Sequence, residues 1–545
     1  MNQEEGVSSS WRYRDVAWLL IAVAAVMQVA RVLGVAAVHG EHPFLSANDR
    51  SRWAAIAALI EDGKWEIDRV IDITGSNGKS KNWSSIDIVR HRGADGREHF
   101  YSSKPPLLTA LYAAICKPVT MLTGKKLTQE PFLIGRVVIL LVNVIPLVLW
   151  WIWFYRWLEN NVSDAWTRFV LLNAALWGTF LTTFAATLSN HLHAALFFTM
   201  SLAMLWQIKR NAEQDRSQPW TLWIACGVCS GLTVACELPA LAWAAAAGVI
   251  LLFVDWKKLL FGYGLGGAVV AVAFLAATIS AHNDWRPPYA HRGLGANIAT
   301  IPKAPDSAAP AIEDVMEQAN KRGYSLTDQT KVIPARLTGV LQFIDESVGQ
   351  RVAVNTKDDS WFIYDWDDWY DFPKSYWLPG NKKGVDLGEK DPWMYLVHFL
   401  VGHHGIFSVT PIWLLSMVGA WLWVRQRPST RFTWAGIRQF AISDAGVASA
   451  LVAVSIACFV FYATRVVEDR NYGGVSSGFR WVFWLIPGWL WLCVPAVESA
   501  SRSKALRILV SLLLLLSIFS ATIPWPNPWT HPWPYRIVIW LYPES

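Results

Sequence analysis

The sequence predicts an all-α polytopic membrane protein of about eleven spanning helices, carrying an extracytoplasmic insert of mixed α/β structure. Three observations predict it. Hydrophobic residues make up 53% of the chain and charged residues only 17%, against about 25% charge in a soluble globular protein. The apolar residues gather into runs of about 20, the length that crosses a hydrocarbon core. The 34 tryptophans suit two membrane–water interfaces, where the amphipathic indole collects.

The runs are 16–38, 131–155, 166–186, 191–208, 219–235, 238–254, 257–281, 405–424, 444–464, 481–498 and 505–523. Stretch 106–123 is also apolar, and loop charge decides its place. With 106–123 flat on the outer surface, Lys209, Arg210, Arg216, Lys257, Lys258, Arg425, Arg427, Arg431, Arg438, Arg502, Lys504 and Arg507 share a side with Arg12 and Arg14. The positive-inside bias makes that side cytoplasmic. The N-terminus is then inside, and 39–130, 282–404, 465–480 and the C-terminal tail are outside. Run 16–38 is long enough to remain as an anchor rather than a cleaved leader. The chain reads as an N-terminal membrane module (1–281), the outer insert (282–404), and C-terminal helices with a Trp/Pro-rich outer tail (405–545). The basic loops account for a net charge of +6 without a nucleic-acid partner. All six cysteines lie in apolar runs, so Cys226-x-x-Cys229 reads as packing rather than a redox or zinc motif.

The stretch Gly75-Ser76-Asn77-Gly78-Lys79-Ser80 imitates a nucleotide-binding loop. Ile73 stands where a Walker loop has its first glycine, no apolar helix follows to cradle a phosphate, and the stretch falls on the side where ATP is not supplied. It reads as a polar hairpin turn.

Chemistry concentrates in the first outer loop. Residues 52–60 have helical periodicity, with Trp53, Ile56, Ala57 and Ile60 on one face. Asp49 stands at the start, where the helix dipole favours an acid, and Gly63 stands at the end. This describes a short amphipathic helix lying at the interface. Further on, Lys104 precedes a Pro105-Pro106 helix start at the membrane surface, where it could meet an anionic headgroup or simply snorkel.

Taken together, Asp49-Arg50-Ser51-Arg52-Trp53-Ala54, Gly63-Lys64-Trp65, Lys104-Pro105-Pro106-Leu107 and Arg136 resemble the GT-C membrane glycosyltransferases, particularly the protein O-mannosyltransferase and aminoarabinose (lipid A) transferase group. The stretches 402–411 (GHHGIFSVTP) and 472–481 (YGGVSSGFRW) also resemble motifs of bacterial members. Two positions depart from the pattern. Arg50 replaces a second acid, and Asn190 or His191 stands where an aspartate is expected. Both weaken the case for a carboxylate-bound metal, so a divalent metal is left open and no cofactor is assigned.

The resemblance implies transfer of a sugar from a polyprenyl-phosphate donor to a lipid, glycan or protein acceptor, at the outer face of a bacterial inner (plasma) membrane and with inversion. The expected roles are Asp49 as base, with Arg52, Lys104 and Arg480 as cations for the donor phosphate. Asn190, His191, Glu237, His403, His404 and Tyr472 are candidates for substrate binding. In the insert, 359–371 alternates acids with aromatics, so Asp365, Asp367 and Asp368 either accept sugar hydroxyls or decorate an ordinary surface. The rival readings are a lipid or glycan transporter or flippase, another polyprenyl-linked glycan ligase, and a non-catalytic scaffold. A transporter would place its polar groups near the bilayer midplane in repeated halves, whereas these motifs gather at one interface.

Overall fold

The computed structural model describes residues 2–37, 40–75, 78, 81–303, 307–426 and 433–541, with side chains from Tyr13 onward. Arg427 and Arg431 of the basic loops, and Ser76, Asn77, Lys79 and Ser80 of the imitation nucleotide loop, lie outside the described residues. The ends of that loop, Thr74 and Lys81, form an isolated antiparallel bridge, and the next residues are turns followed by a strand rather than a helix.

The chain is mostly helical. Among the described residues nine helices are long and apolar enough to cross a membrane. Eight match expected spans, and the ninth is Pro106–Thr123. The other three expected spans are shorter apolar helices, Trp220–Cys236, Leu238–Leu252 and Pro411–Arg425, so the count of about eleven full-length spans is not met. Proline marks the start of each. Pro219, Pro239 and Pro411 all stand at helix starts, where a missing N–H costs nothing but the helix cannot extend backwards.

By internal contact the chain forms two compact units. The first comprises Met1–Ser46, Val119–Phe274 and Gly384–Ser545. At its centre lie Ala165–Ala186 and Arg480–Ala500, each 89% buried over its apolar window, whereas Lys504–Thr522 is 28% buried and turns most of its surface outward. Glycine permits the closest approach. A Cβ on Gly419 would stand 1.8 Å from the Leu492 carbonyl oxygen, so helices Leu414–Arg425 and Ile486–Ala500 touch backbone to backbone, as small residues allow in membrane bundles. Within Pro131–Asn161 the residues Leu140–Val144 form a π-helical turn just before Pro146. The proline ring crowds the carbonyl four residues back, and the wider turn relieves it.

The second unit comprises Ala47–Pro118 and Leu275–Lys383. It holds helix Ala47–Glu61 and a hairpin of β1 (Ile88–Arg92) and β2 (Glu98–Ser102). It also holds a five-stranded antiparallel sheet of β3 (Arg292–Pro302), β4 (Lys331–Pro334), β5 (Val340–Asp345), β6 (Gln350–Lys357) and β7 (Ser360–Asp368), ordered β3-β7-β6-β5-β4. Alternation along β7 sends Trp361 and Ile363 into a core with Phe343, Val352 and Val354 under helix Ile312–Asn320. The hairpin ties to the sheet through Glu98, which pairs with Arg90 at 3.1 Å and Arg351 at 2.6 Å.

Helix Ala47–Glu61 corrects an expectation. It ends as expected before Gly63, which takes a left-handed φ of +68°. It is not a one-faced interfacial helix, however, because Asn48, Asp49, Ser51, Arg52 and the run Trp53–Ala58 are all buried. Small Ala and Ser side chains let neighbours close over the faces that the periodicity leaves polar.

Candidate functional site

The expected residues fall into three groups, two in the first unit and one in the second. The first group forms where helix Asn190–Glu213 begins and helix Trp220–Cys236 ends. Asn190 Nδ2 donates to Glu237 Oε1 at 2.7 Å and to the Cys236 carbonyl at 2.8 Å. His191 Nδ1 also contacts Glu237 Oε1. On its other side His191 Nε2 stands 2.7 Å from Arg480 Nη1. Arginine only donates, so Nε2 accepts and the imidazole proton sits on Nδ1, facing the carboxylate. Arg480 is held further by Nε donating to the Gly473 carbonyl at 2.7 Å and by the Trp529 ring 5.0 Å away. Glu237 and His191 are 6% and 1% exposed, so this is an ordered, desolvated chain of carboxylate, imidazole and guanidinium.

The second group is aromatic. His404 stacks on Tyr472 with centroids 4.7 Å apart and planes 10° apart, and His403 Nδ1 lies 2.5 Å from His404 Nδ1. His398 stacks on His403 at 4.1 Å, and Tyr535 lies 4.8 Å from His403 and 4.4 Å from His531. Burial pushes His403 down to about 4 and His404 well below its ordinary value, with the neighbouring imidazoles adding to the shift. Burial also lowers His398 and His531. All four rings are therefore neutral near pH 7. Tyr472 reaches His404 from a left-handed φ of +58°, and Gly473 and Gly474 follow at +89° and +75°. A bulky side chain in that region is strained. Tyr-Gly-Gly is thus a sharp turn that sends the Tyr472 ring to His404 and the Gly473 carbonyl to Arg480, linking the two groups through one loop.

The third group lies in the second unit. Asp49, 1% exposed, accepts from the Trp53 indole at 3.0 Å, and Arg52, 2% exposed, lies almost one helical turn beyond it. Lys104 Nζ is ion-paired with Asp87 Oδ2 at 3.0 Å. The Asp87 carbonyl accepts from Ser51 Oγ at 2.6 Å and Ser103 Oγ at 2.9 Å. Arg50 donates to the Ser84 carbonyl at 2.8 Å. Burial draws its guanidinium below the ordinary value, and Asp49 and Asp87 both pull it back up. Asp87 therefore supplies an acid that the first motif lacks, but it arrives already neighboured by Lys104 and Arg50.

Among the described residues no group of three or more His, Cys, Asp or Glu side chains is arranged to hold a metal ion. Cations accompany the two carboxylates of the third group, a poor donor set for a divalent ion. All six cysteines are free and buried.

The acids of β7 are also engaged. Tyr324 donates to Asp365 at 2.5 Å, Arg286 holds Asp367 at 2.8 Å, and Arg336 holds Asp368 at 2.7 Å. They act as internal ties of the sheet unit. Sequence reasoning missed Asp87, His398, His531 and Trp529. Only Asp87 left a trace, in the Ser-Ser-Ile-Asp run that enters β1 and pairs beside Ser102.

The fold and these buried polar groups define a polytopic helical membrane protein with a sheet-bearing second unit. No known family matches the chain, and no curated protein matches it. Among solved structures it is similar to the archaeal oligosaccharyltransferase AglB from Archaeoglobus fulgidus, determined in complex with an inhibitory peptide and a dolichol-phosphate. The identity is 13% and the TM-score 0.44, over 98% of this chain and 59% of that one. The chain thus spans about three-fifths of the length of AglB.

Proposed function

We propose that this chain is a membrane glycosyltransferase that moves a sugar from a polyprenyl-phosphate donor to an acceptor hydroxyl on the extracytoplasmic face, with inversion. The N-terminus is cytoplasmic in this reading. The acceptor oxygen forms a bond to the anomeric carbon while the bond from that carbon to the phosphate oxygen breaks. The acceptor proton passes to the Asp49 carboxylate, and the bonding pair leaves with the phosphate. Such a leaving group needs cations rather than a general acid, and the candidates for that role are Arg480 in the first unit and Lys104 and Arg52 in the second.

The observation that carries the reading is the fixed Glu237–His191–Arg480 chain. A guanidinium held before the phosphate arrives stabilises developing charge without reorganising, which is often the largest catalytic term. Asp49 as a positioned base contributes roughly 10²–10⁴-fold. Asn190 fixes Glu237. His403, His404 and Tyr472 offer aromatic faces and neutral hydrogen-bonding groups to donor or acceptor.

The test is sugar transfer by purified protein in nanodiscs offered a panel of polyprenyl-phosphate sugars. Asp49→Asn, Lys104→Ala and Arg480→Lys run beside wild type. Loss of transfer in folded variants supports the reading. Turnover untouched by Asp49→Asn removes Asp49 as the base. Donor binding and translocation without transfer would favour the transporter reading.

A further inference from the structure

A narrow cleft in the second unit is lined by Trp65, Tyr101, Ser102, Lys104, Thr109 and His282. Its walls are aromatic and apolar, and its polar groups include one cation, three hydroxyls and one imidazole. Trp65 is fixed by its indole N–H donating to Ser280 Oγ at 3.1 Å.

The imidazole is oriented by a relay. His91 is sandwiched between Tyr101 and Trp369, with centroids 4.0 Å away on each side. Its Nδ1 lies 3.0 Å from the Arg92 carbonyl, which can only accept, so Nδ1 carries the proton. Burial pushes His91 down to about 4, so its Nε2 is a bare acceptor at neutral pH. That nitrogen takes the hydrogen of His282 Nδ1 at 3.0 Å. His282 is left with Nε2 as an acceptor, and among the described residues this buried atom has no hydrogen-bond partner. Thr109 Oγ1, buried in the same cleft, has none either. His282 and Thr109 are 5% and 1% exposed. Buried polar atoms are usually paired, so two unpaired polar atoms lining one cleft suit a ligand that brings a hydroxyl group.

We infer that this cleft receives one edge of the donor sugar, a ring hydroxyl donating to His282 Nε2 and a second polar contact falling to Thr109 Oγ1, while Lys104 faces the adjoining phosphate. The inference rests on the donor reading above and adds to it the recognition of the sugar. A few convergent polar groups among aromatic walls are the usual makeup of a small-molecule site. The cleft is too narrow for a whole ring, so it reads one hydroxyl. The fixed tautomer makes the reading directional, because His282 presents an acceptor and rejects a second acceptor.

Two lipids test it on the full-length protein in nanodiscs: the polyprenyl-phosphate sugar that supports turnover, and the same polyprenyl phosphate without sugar. His282→Phe is expected to raise the Kd of the sugar-bearing lipid about tenfold, the size of one lost hydrogen bond, and to leave the sugar-free lipid unchanged. His282→Gln, which keeps an acceptor, restores most of the loss. The near-isosteric Thr109→Val provides an independent arm should His282→Phe not fold, and it is expected to weaken the sugar-bearing lipid selectively. Equal weakening of both lipids, or no change in either, overturns the inference. Wild-type protein that binds neither lipid overturns the donor reading itself, which is a different failure.

Discussion

Arg480 Nη1 donates to His191 Nε2 at 2.7 Å, and this contact fixes the proton of the ring on the side of Glu237. A carboxylate thereby orients an imidazole, and the imidazole with the Gly473 carbonyl orients a guanidinium. Breaking either link should disorder the cation rather than remove it.

On the proposed transfer reading, Glu237→Gln is therefore expected to lower the turnover number by about tenfold or more although the Arg480 cation is still present. Arg480→Lys, which keeps charge but loses the planar fork, should lose at least as much. Transfer kinetics and donor affinity, measured together, separate orientation from binding. An effect of Glu237→Gln confined to KM would refute a positioning role.

The Lys104–Asp87 pair yields a second prediction. Its side chains are 16% and 18% exposed, so Lys104→Ala should cost between the ~1 kcal/mol of an exposed pair and the ~3–5 kcal/mol of a buried one. Asp87→Asn should leave Lys104 less neutralised and tighten binding of sugar-free polyprenyl phosphate at low salt. Chemical unfolding and lipid titration of the single and double variants would show whether the couple behaves this way.

The four neutral histidines around Tyr472 give a pH dependence with a definite sign. His403 titrates at about 4 in the folded protein, and an unfolded histidine titrates at about 6.5. Between those values the unfolded chain binds more protons, so stability is intact above pH 6.5 and falls as the pH drops toward 4. His403→Phe should flatten that slope in thermal unfolding measured across the range. A slope of opposite sign would show the rings to be charged at neutral pH.

Gly419 carries a stability prediction. Even an alanine Cβ would be forced to within 1.8 Å of the Leu492 carbonyl oxygen, so helices Leu414–Arg425 and Ile486–Ala500 must move apart. Gly419→Ala should destabilise by roughly 1–3 kcal/mol, the range for overpacking, and Gly419→Leu by more. A thermal midpoint unchanged in Gly419→Leu would mean that the helices separate freely.

Much of this architecture was legible because hydropathy is a one-dimensional signal. Residues 131–155 or 505–523 announce themselves by length and composition alone. Helix Ala47–Glu61 misled because periodicity reports apolar side chains, and its burial depends instead on how small Ala54, Ala55 and Ala58 are. Asn190, His191, Glu237 and Arg480 were readable singly, from motifs far apart in the chain. Their junction was not, since it depends on where the Glu237 turn and the Tyr472–Arg480 loop meet. Asp87 escaped because its pairing with Lys104 exists only once β1 and β2 close. His398 and His531 escaped because isolated histidines carry no sequence period.

The six buried, free cysteines turn the natural protein into its own blank for thiol chemistry. A membrane-impermeant maleimide should leave the wild-type chain unlabelled, so any single exposed cysteine introduced by mutation becomes the one reporter. Gln214 and Ser325 are exposed and suit the purpose. With the N-terminus inside, Ser325→Cys in intact cells should label from without, and Gln214→Cys only after the membrane is opened. The opposite pattern would invert the chain, and with it the side on which a sugar could be received.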